Sequence, residues 1–257
     1  MNDVVILNMK KKKRLFSSKP DLERIAEYEV FSANPKVSSL KYVTKYSGGR
    51  PIIVDDEALR SAKLEKYIKQ YKEYNFEAYL SVIEKIVLSV AGKYNVKPPF
   101  SEVFISESPY NAAKIIEKIK GLSGLFTVIS DDYSTDAFDE LYFKHGIVIR
   151  QLPEFIFKNK EKSIIIKGSS GGEFFDCGQI PIIDLSSEEN NGMSIAVSKL
   201  CVYDESIKGF LKCMNIIPSL RLYTLLGIVP GENSAININK TADNIFLLDT
   251  KKVSGYN

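Results

Sequence analysis

The sequence predicts an α/β protein with a mainly parallel sheet in its C-terminal region and a smaller α/β region before it. Short apolar runs without alternation are typical of strands that are covered on both faces, as in parallel sheets. These runs are Val103–Ile105, Leu125–Ile129, Ile147–Ile149, Ile164–Ile166, Ile180–Ile183 and Ile245–Leu248. Amphipathic segments separate the first three runs, so strand and helix alternate, which predicts a right-handed βαβαβ unit.

The two helices of this unit are predicted from apolar residues that recur every three or four positions. These residues are Ala112, Ile115, Ile116 and Ile119 in the first helix and Ala137, Phe138, Leu141 and Tyr142 in the second. Gly121 and Gly146 stand where a left-handed residue commonly ends a helix. Each helix is therefore expected to end there and return the chain to the next strand.

In the region before this unit, strands and helices are predicted to mix. Val4–Leu7 and Tyr28–Phe31 are strand candidates. Lys41–Tyr46 and Pro51–Val54 flank the sequence SGGR, whose two glycines predict a hairpin turn. These four segments are expected to contribute the strands of the smaller region.

Two long helices are expected after this turn. The first follows the capping residues Asp55 and Asp56 and spans about Glu57–Tyr74. The second spans about Phe76–Tyr94, with apolar residues spaced by three and four. The pair could pack on a sheet or across the axis of a homo-oligomer.

A domain boundary is predicted where two prolines, Pro98 and Pro99, follow the second long helix. Proline ends helices and forces the preceding residue into extended backbone. The sequence therefore predicts an N-terminal α/β region over residues 1–98 and a second domain over residues 99–257.

The composition is that of a globular protein without a membrane-spanning segment. No apolar run approaches the roughly 20 residues that a bilayer requires, and the start of the chain lacks the pattern of a signal peptide. We therefore expect a cytoplasmic protein that does not contact membranes. Three cysteines and one histidine argue against a disulfide framework and against a zinc site, so no metal is expected. The net charge of +3 is too small to require a polyanionic partner.

Residues Val103–Ser186 resemble the cofactor-binding domain of Rossmann-type dehydrogenases, in particular the amino-acid and shikimate dehydrogenase-like group. The order strand, helix, LFTVISDD, helix, GIVIRQ carries the resemblance. The later stretch KSIIIKGSSGGEFFDCGQIPIIDLS looks like their strand, glycine-bearing loop and strand that ends in Asp. The resemblance covers about a third of the chain, and the G-x-G-x-x-G fingerprint is absent.

This resemblance implies a Rossmann-like sheet in which the strand at Val103 is central and parallel to the strand at Leu125. In that order the first strand lies beside the second, and the chain then reverses to the other side of the first. The resemblance also implies a nicotinamide cofactor, NAD or NADP.

The turn after the first strand, Ser106-Glu107-Ser108-Pro109-Tyr110, has two interpretations. Pro109 suits the first position of a helix, and Ser106 or Ser108 could cap it, which would make the turn a plain helix start. Alternatively, the serine hydroxyls and the helix N-terminus could bind a phosphate. Glu107 and Tyr110 would crowd a pyrophosphate that lies across this turn.

Two further candidates follow later strands at the same predicted edge of the sheet. Asp131 stands where a carboxylate commonly binds the ribose hydroxyls of NAD, although the neighbouring Asp132 or Ser134 could simply cap the next helix. Gly168, Ser169, Ser170 and Gly171 offer backbone N–H groups and hydroxyls to an anion, or form an ordinary surface loop. These residues complete the predicted cofactor site.

Three other features are interpreted as structural. Cys177 has no histidine near it in sequence, and His145 stands at a helix C-terminus, where an imidazolium interacts well with the helix dipole. The basic run Lys10–Arg14 is interpreted as a solvated arm, so nucleic-acid binding is not expected.

The function is left open between two classes. The first is a binding or regulatory protein on a degenerate Rossmann-like scaffold, with a small molecule or nucleotide as its ligand. The second is an NAD(P)-dependent oxidoreductase with an atypical phosphate-binding turn. Fold alone does not choose between them.

Overall fold

The structure is a computed structural model that describes residues 4–9, 19–60, 63–132, 136–154, 161–168, 179–187 and 189–255. The chain divides into two compact units, each built from segments that are distant in sequence. The first unit consists of Met1–Asn75, Tyr203–Asn233 and Asp243–Asn257, and the second of Phe76–Val202 and Ser234–Ala242. This division differs from the boundary predicted between residues 98 and 99, because the end of the chain returns to the first unit.

The described residues form an α/β protein. The strands are β1 Val5–Met9, β2 Asp21–Ile25, β3 Tyr28–Ala33, β4 Ile52–Val54, β5 Ile68–Gln70, β6 Glu102–Ser106, β7 Leu125–Ile129, β8 Val148–Leu152, β9 Ser163–Lys167, β10 Ile182–Asp184, β11 Ser194–Ala196, β12 Leu200–Tyr203, β13 Ala235–Thr241 and β14 Phe246–Leu248. The helices are α1 Val37–Ser47, α2 Asp56–Arg60, α3 Phe76–Leu80, α4 Ile83–Lys93, α5 Pro109–Ile119, α6 Asp136–His145, α7 Lys208–Cys213, α8 Leu220–Leu226 and α9 Thr250–Ser254.

The second unit contains a parallel sheet with the strand order β11-β10-β9-β6-β7-β8. Each neighbouring pair in this order is parallel. Strand β6 lies between β7 and β9, which confirms the predicted parallel pairing of the Val103 and Leu125 runs with the Val103 run inside the sheet. A separate two-stranded sheet pairs β12 with β13.

Helix α5 buries its whole predicted apolar face, whereas α6 buries half of the residues predicted for its apolar face. All four residues predicted for the first helix are buried in α5, and Phe138 and Leu141 are buried in α6. Gly146 ends α6 with φ +64°, as predicted. Gly121 is instead part of a 3-10 turn that follows α5. Tyr142 is exposed, because it points away from the sheet beside the ring of Phe143.

The first unit contains a mixed sheet with the order β2-β3-β1-β4-β14-β5. Strand β1 is parallel to β3 and β4, whereas β14 is antiparallel to β4 and β5. The strands predicted at Val4–Leu7 and Tyr28–Phe31 are confirmed as β1 and β3. The run Ile245–Leu248 does not join the parallel sheet. It forms β14 of the mixed sheet, where both of its neighbours are antiparallel.

The hairpin predicted around SGGR is wrong. Lys41–Tyr46 lies inside α1, which buries Leu40, Val43 and Ser47 at helical spacing. Gly48 follows the helix in the left-handed region with φ +61°, so this glycine ends a helix instead of forming a hairpin turn. The apolar run that follows is β4, which pairs in parallel with β1.

The two predicted long helices are shorter than expected. After α2 the chain makes a 3-10 turn and enters β5, whose ladder with β14 supplies hydrogen bonds that a helix would have made internally. The Tyr71 N–H extends that ladder to the Ile245 carbonyl at 2.7 Å. The second predicted helix is divided into α3 and α4 between Leu80 and Ile83.

The buried carboxylate of Glu29 on β3 forms an ion pair with Arg50, in the segment that precedes β4. Glu29 Oε2 accepts a hydrogen bond from Arg50 Nη2 at 2.8 Å, and Arg24 and Tyr46 reach Glu29 Oε1 at 3.5 and 3.3 Å. The hydrogen bond from the Arg50 guanidinium holds the pKa of Glu29 below its usual value. Since the folded-state pKa is lowered, this contribution to stability is present near neutral pH and is lost as the pH falls through that pKa.

We expect Arg50→Met to lower the free energy of unfolding at pH 7 by about 1–2 kcal/mol, because it removes a charged hydrogen bond from a buried carboxylate. The loss should shrink below about pH 4, where Glu29 is protonated in the unfolded chain and then in the folded protein. Urea unfolding at both pH values measures this difference. Arg24→Met is the matched control, since Arg24 is more exposed and more distant. An equal loss at both pH values would contradict the assignment.

Candidate functional site

The candidate site lies at the carboxyl edge of the parallel sheet, where β6 and β9 end side by side. The chain passes from β6 to β7 and β8 on one side, and then places β9, β10 and β11 on the other side of β6. In open α/β sheets, ligands bind outside the carboxyl ends of the strands at the point where the strand order reverses. The ends of β6 and β9 are this point.

Three polar side chains lie in register at this edge, on one face of the sheet. Ser106 pairs with Lys167, and Lys167 pairs with Asp184, on three adjacent parallel strands. Paired residues of parallel strands direct their side chains to the same face. Lys167 Nζ is 3.5 Å from Asp184 Oδ2, so the ammonium is neutralised locally.

The other oxygen of Asp184 has a structural role. Asp184 Oδ1 accepts hydrogen bonds from the N–H groups of Ser186 and Ser187, both at 2.9 Å, and from the Ser186 hydroxyl at 2.8 Å. Together these contacts hold the turn that follows β10. Asp184 therefore fixes both the Lys167 ammonium and the local backbone.

Ser106 carries a buried hydroxyl at the end of the central strand. The residue is 1% exposed, and within the described part of the chain its Oγ has no hydrogen-bond partner. A buried hydroxyl without a partner loses its hydration without compensation. Its position at the switch point makes it a candidate contact for a ligand.

Glu107 places a carboxylate between the end of β6 and the end of β9. The residue is 4% exposed, and its Oε1 accepts a hydrogen bond from the N–H of Ser108 at 2.8 Å. The neighbouring Gly168 donates its N–H to the Ser106 carbonyl at 2.7 Å. A Cβ at position 168 would lie 1.9 Å from Glu107 Oε2, so the absence of a side chain at Gly168 makes room for this carboxylate.

This carboxylate lies at the N-terminus of α5, where a phosphate would lie in a dinucleotide-binding fold. Pro109 is at the start of the helix, and Ser108 is at the N-cap position with no side-chain capping hydrogen bond. Ser106 belongs to β6. The predicted capping by a serine hydroxyl is therefore wrong. The positive end of the α5 dipole faces the Glu107 carboxylate instead.

The residues predicted from the sequence lie at this edge as far as the structure describes them. Ser106, Ser108 and Gly168 are brought together by the ends of β6 and β9. Asp131 is exposed, two residues beyond the end of β7, and the next N–H, of Asp132, donates to Ser130 Oγ at 3.1 Å. Ser169, Ser170 and Gly171 lie outside the described residues.

The charges at this edge are mainly negative. Glu107 and Asp184 are buried, and Asp131 and Asp132 are exposed nearby. Among the described residues, Lys167 supplies a cation at this edge, in register with Ser106 and Asp184. This balance disfavours a pyrophosphate, which carries two negative charges, and suits a neutral or cationic group.

A second feature is a groove of about 610 Å³ between α5 and α6. It begins at Ser108 and is lined along its length by Lys114 and Lys144, among other residues. Lys114 Nζ donates to Glu77 Oε1 at 2.8 Å, which raises the pKa of Lys114, and it lies 4.8 Å from the centre of the Tyr110 ring. Sequence reasoning missed this groove, because the spacing of apolar residues predicts only the buried faces of the helices.

His145 lies away from the carboxyl edge. It is the last residue of α6, and its Nε2 is 3.1 Å from Lys120 Nζ. Because α6 runs from the carboxyl edge back toward the amino edge of the sheet, the chain's only histidine is at the opposite end from Ser106. A Ser–His pair is not formed there.

The remaining candidates supply no reactive centre in the described residues. Cys201 and Cys213 are buried, and burial raises the pKa of the Cys213 thiol. Cys177 and the run Lys10–Arg14 lie outside the described residues. Over the ranges that the structure covers, no group of three Cys, His, Asp or Glu residues is arranged to hold a metal ion, and no helix is long and apolar enough to cross a membrane.

Glu107 and Lys167 are the residues of this site that sequence reasoning did not select. Glu107 was expected only to crowd a bound pyrophosphate. Lys167 directly precedes the glycine-bearing loop, which is the signal that could have marked it. Its register with Ser106 became visible only once the strand order was known.

Comparison of the chain with protein-family models, curated proteins and solved structures found no match.

We expect Gly168→Ala to destabilise the protein by about 1–3 kcal/mol, because the new methyl group would overlap the buried Glu107 carboxylate. Gly124→Ala is the matched control, since a Cβ there meets no atom within 4 Å. Chemical denaturation measures both variants. A double-mutant cycle with Glu107→Ala should show less than additive loss. Equal effects at positions 168 and 124 would contradict the described contact.

Proposed function

We propose that this chain is a binding or regulatory protein on a degenerate Rossmann-like scaffold. The strand order of the parallel sheet supports the scaffold, since 3-2-1-4-5-6 in chain order is the arrangement of dinucleotide-binding folds. The position of Ser106 and Gly168 at the reversal point supports a ligand site at that edge. The chain's own carboxylate at the same point distinguishes it from a dinucleotide-binding protein.

The observation that carries this proposal is the hydrogen bond from the Ser108 N–H to Glu107 Oε1. In a dinucleotide-binding fold the N–H groups at this helix start face the pyrophosphate, and glycine lets the backbone approach it. Here a covalently attached carboxylate already occupies that position and is buried. A bound pyrophosphate would have to displace it or lie beside it, and both arrangements are unfavourable for like charges.

The ligand that this edge favours is a small molecule without a pyrophosphate. Ser106 offers a buried hydroxyl, and the surrounding carboxylates favour a neutral or cationic group. Catalysis is not part of the proposal. The Lys167 ammonium is held by Asp184, and the single histidine lies at the far end of α6.

The alternative is an NAD(P)-dependent oxidoreductase, which the strand order and the position of Asp131 favour. A carboxylate at the end of the second strand commonly binds ribose hydroxyls and favours NAD over NADP. In this alternative the pyrophosphate would replace Glu107 at the N-terminus of α5, and Asp131 would contact the ribose.

A thermal-shift measurement with millimolar NAD or NADP separates the two functions. We expect the unfolding temperature to change by less than about 1 °C, because a ligand stabilises a protein only when it binds the folded state. A clear increase with either dinucleotide that disappears in Asp131→Ala would contradict the proposal and favour the oxidoreductase. The control is the unfolding temperature of Asp131→Ala without ligand. It should equal that of the wild-type protein, so that any difference with NAD or NADP reflects binding and not stability.

The role of Glu107 has its own test. In Glu107→Gln we expect millimolar pyrophosphate to raise the unfolding temperature, whereas the wild-type protein should not respond, because the variant removes the charge that competes for the helix N-terminus. Glu102→Gln is the matched control, since Glu102 is also buried but stands at the opposite end of β6. A lack of response in Glu107→Gln, or an equal response in both variants, would contradict the proposed role.

A further inference from the structure

The outer surface of α5 and α6 concentrates exposed aromatic side chains. Phe143, Tyr110 and Tyr142 are 80%, 67% and 59% exposed, more than any other large apolar side chain that the structure describes. Aromatic residues are enriched at protein interfaces, and exposed clusters of them commonly mark interaction sites. The groove of this surface begins at Ser108, at the carboxyl edge of the sheet, and continues from there along the two helices.

The groove between the two helices gives this surface a concave centre. Residues of both helices line its volume of about 610 Å³. Phe143 lies seven residues after Asp136 and three after Glu140, so these side chains share the outward side of α6. Each copy of the chain therefore carries both an exposed aromatic ring and a groove, so the ring of one copy can enter the groove of another.

Charge is distributed unevenly along this surface. Both helices start at the carboxyl edge of the parallel sheet and therefore run in the same direction. Asp132 and Asp136 lie at their N-terminal end, whereas Lys120, Lys144 and His145 lie at their C-terminal end. Lys144 also pairs with Glu140 within α6. Glu117 also lines the groove near the C-terminal end, so the surface is acidic at one end and mainly basic at the other.

We propose that this surface is the interface of a homodimer, with a second copy of the chain as its occupant. A twofold axis in the plane of the interface, perpendicular to the helices, makes the two surfaces antiparallel. The acidic end of each copy then faces the basic end of the other, with Asp136 opposite Lys144. The same rotation brings each Phe143 to the end of the partner's groove that Tyr110 borders. This inference does not depend on the proposed ligand site.

The interface is small, so we expect the two copies to associate weakly. An 11-residue helix such as α5 is about 16 Å long, so two helices form a small interface of the class that is common in transient complexes. Self-association is therefore expected at micromolar concentration and above. Electrostatic complementarity makes it stronger at low salt.

Sedimentation equilibrium over about 1–200 µM tests the dimer, with concentrations chosen for a weak complex. We expect Phe143→Glu to raise the dissociation constant at least about 30-fold, as for a central aromatic contact, without lowering the unfolding temperature of the monomer. Leu88→Glu is the matched control, because Leu88 is exposed on α4 in the same unit. A monomer at 200 µM, or a dimer that Phe143→Glu and Leu88→Glu affect equally, would overturn the proposal.

A charge exchange tests the antiparallel arrangement itself. Asp136→Lys alone would place two cations opposite each other, and Lys144→Glu alone would place two acidic groups opposite each other, so each variant should dimerise more weakly than wild type. A mixture of the two variants should form a heterodimer in which both contacts are attractive. Heterodimer formation at wild-type affinity supports the twofold arrangement. A mixture as weak as the separate variants would overturn it.

Discussion

The buried Glu107 carboxylate, where β6 and β9 end side by side, is the group around which this edge of the parallel sheet is built. It is held by the Ser108 N–H and accommodated by the missing side chain at Gly168. These contacts join the end of β6, the start of α5 and the end of β9. Because the carboxylate accepts the N–H at the start of α5, it joins the packing of the sheet to the charge at the helix N-terminus.

The second feature that shapes the site is the set of charged side chains at the carboxyl edge of the parallel sheet. Lys167 is neutralised by Asp184, which in turn holds the turn after β10. Asp131 and Asp132 are exposed after β7 and add negative charge, so the described residues of this edge are mainly acidic. Ser106 contributes the neutral buried hydroxyl.

The sequence predicted the parallel sheet well because continuous apolar runs are a local signal of strands buried on both faces. It failed where long-range pairing decided the structure. Ile68–Gln70 could complete an amphipathic helix, yet it pairs with β14, which comes more than 170 residues later. The glycine pair at Gly48 is locally consistent with either a hairpin or a helix end, and burial of Leu40 and Val43 selects the helix end.

The position of these candidate residues at one edge is predictable for the same reason. Ser106 ends a strand, and Asp131 and Gly168 follow strands, so the α/β pattern alone brings them to one edge. The role of Glu107 could not be predicted from the sequence, because it depends on the contact between its carboxylate and Gly168, and the two residues are 61 positions apart in the chain.

A crystal structure of the protein, from crystals grown with millimolar NAD, is the most direct test of whether the Glu107 carboxylate excludes a pyrophosphate. We expect Glu107 Oε1 to accept the hydrogen bond from the Ser108 N–H in that structure, with no pyrophosphate bound there. A pyrophosphate on that N–H, with the Glu107 side chain displaced, would contradict this expectation.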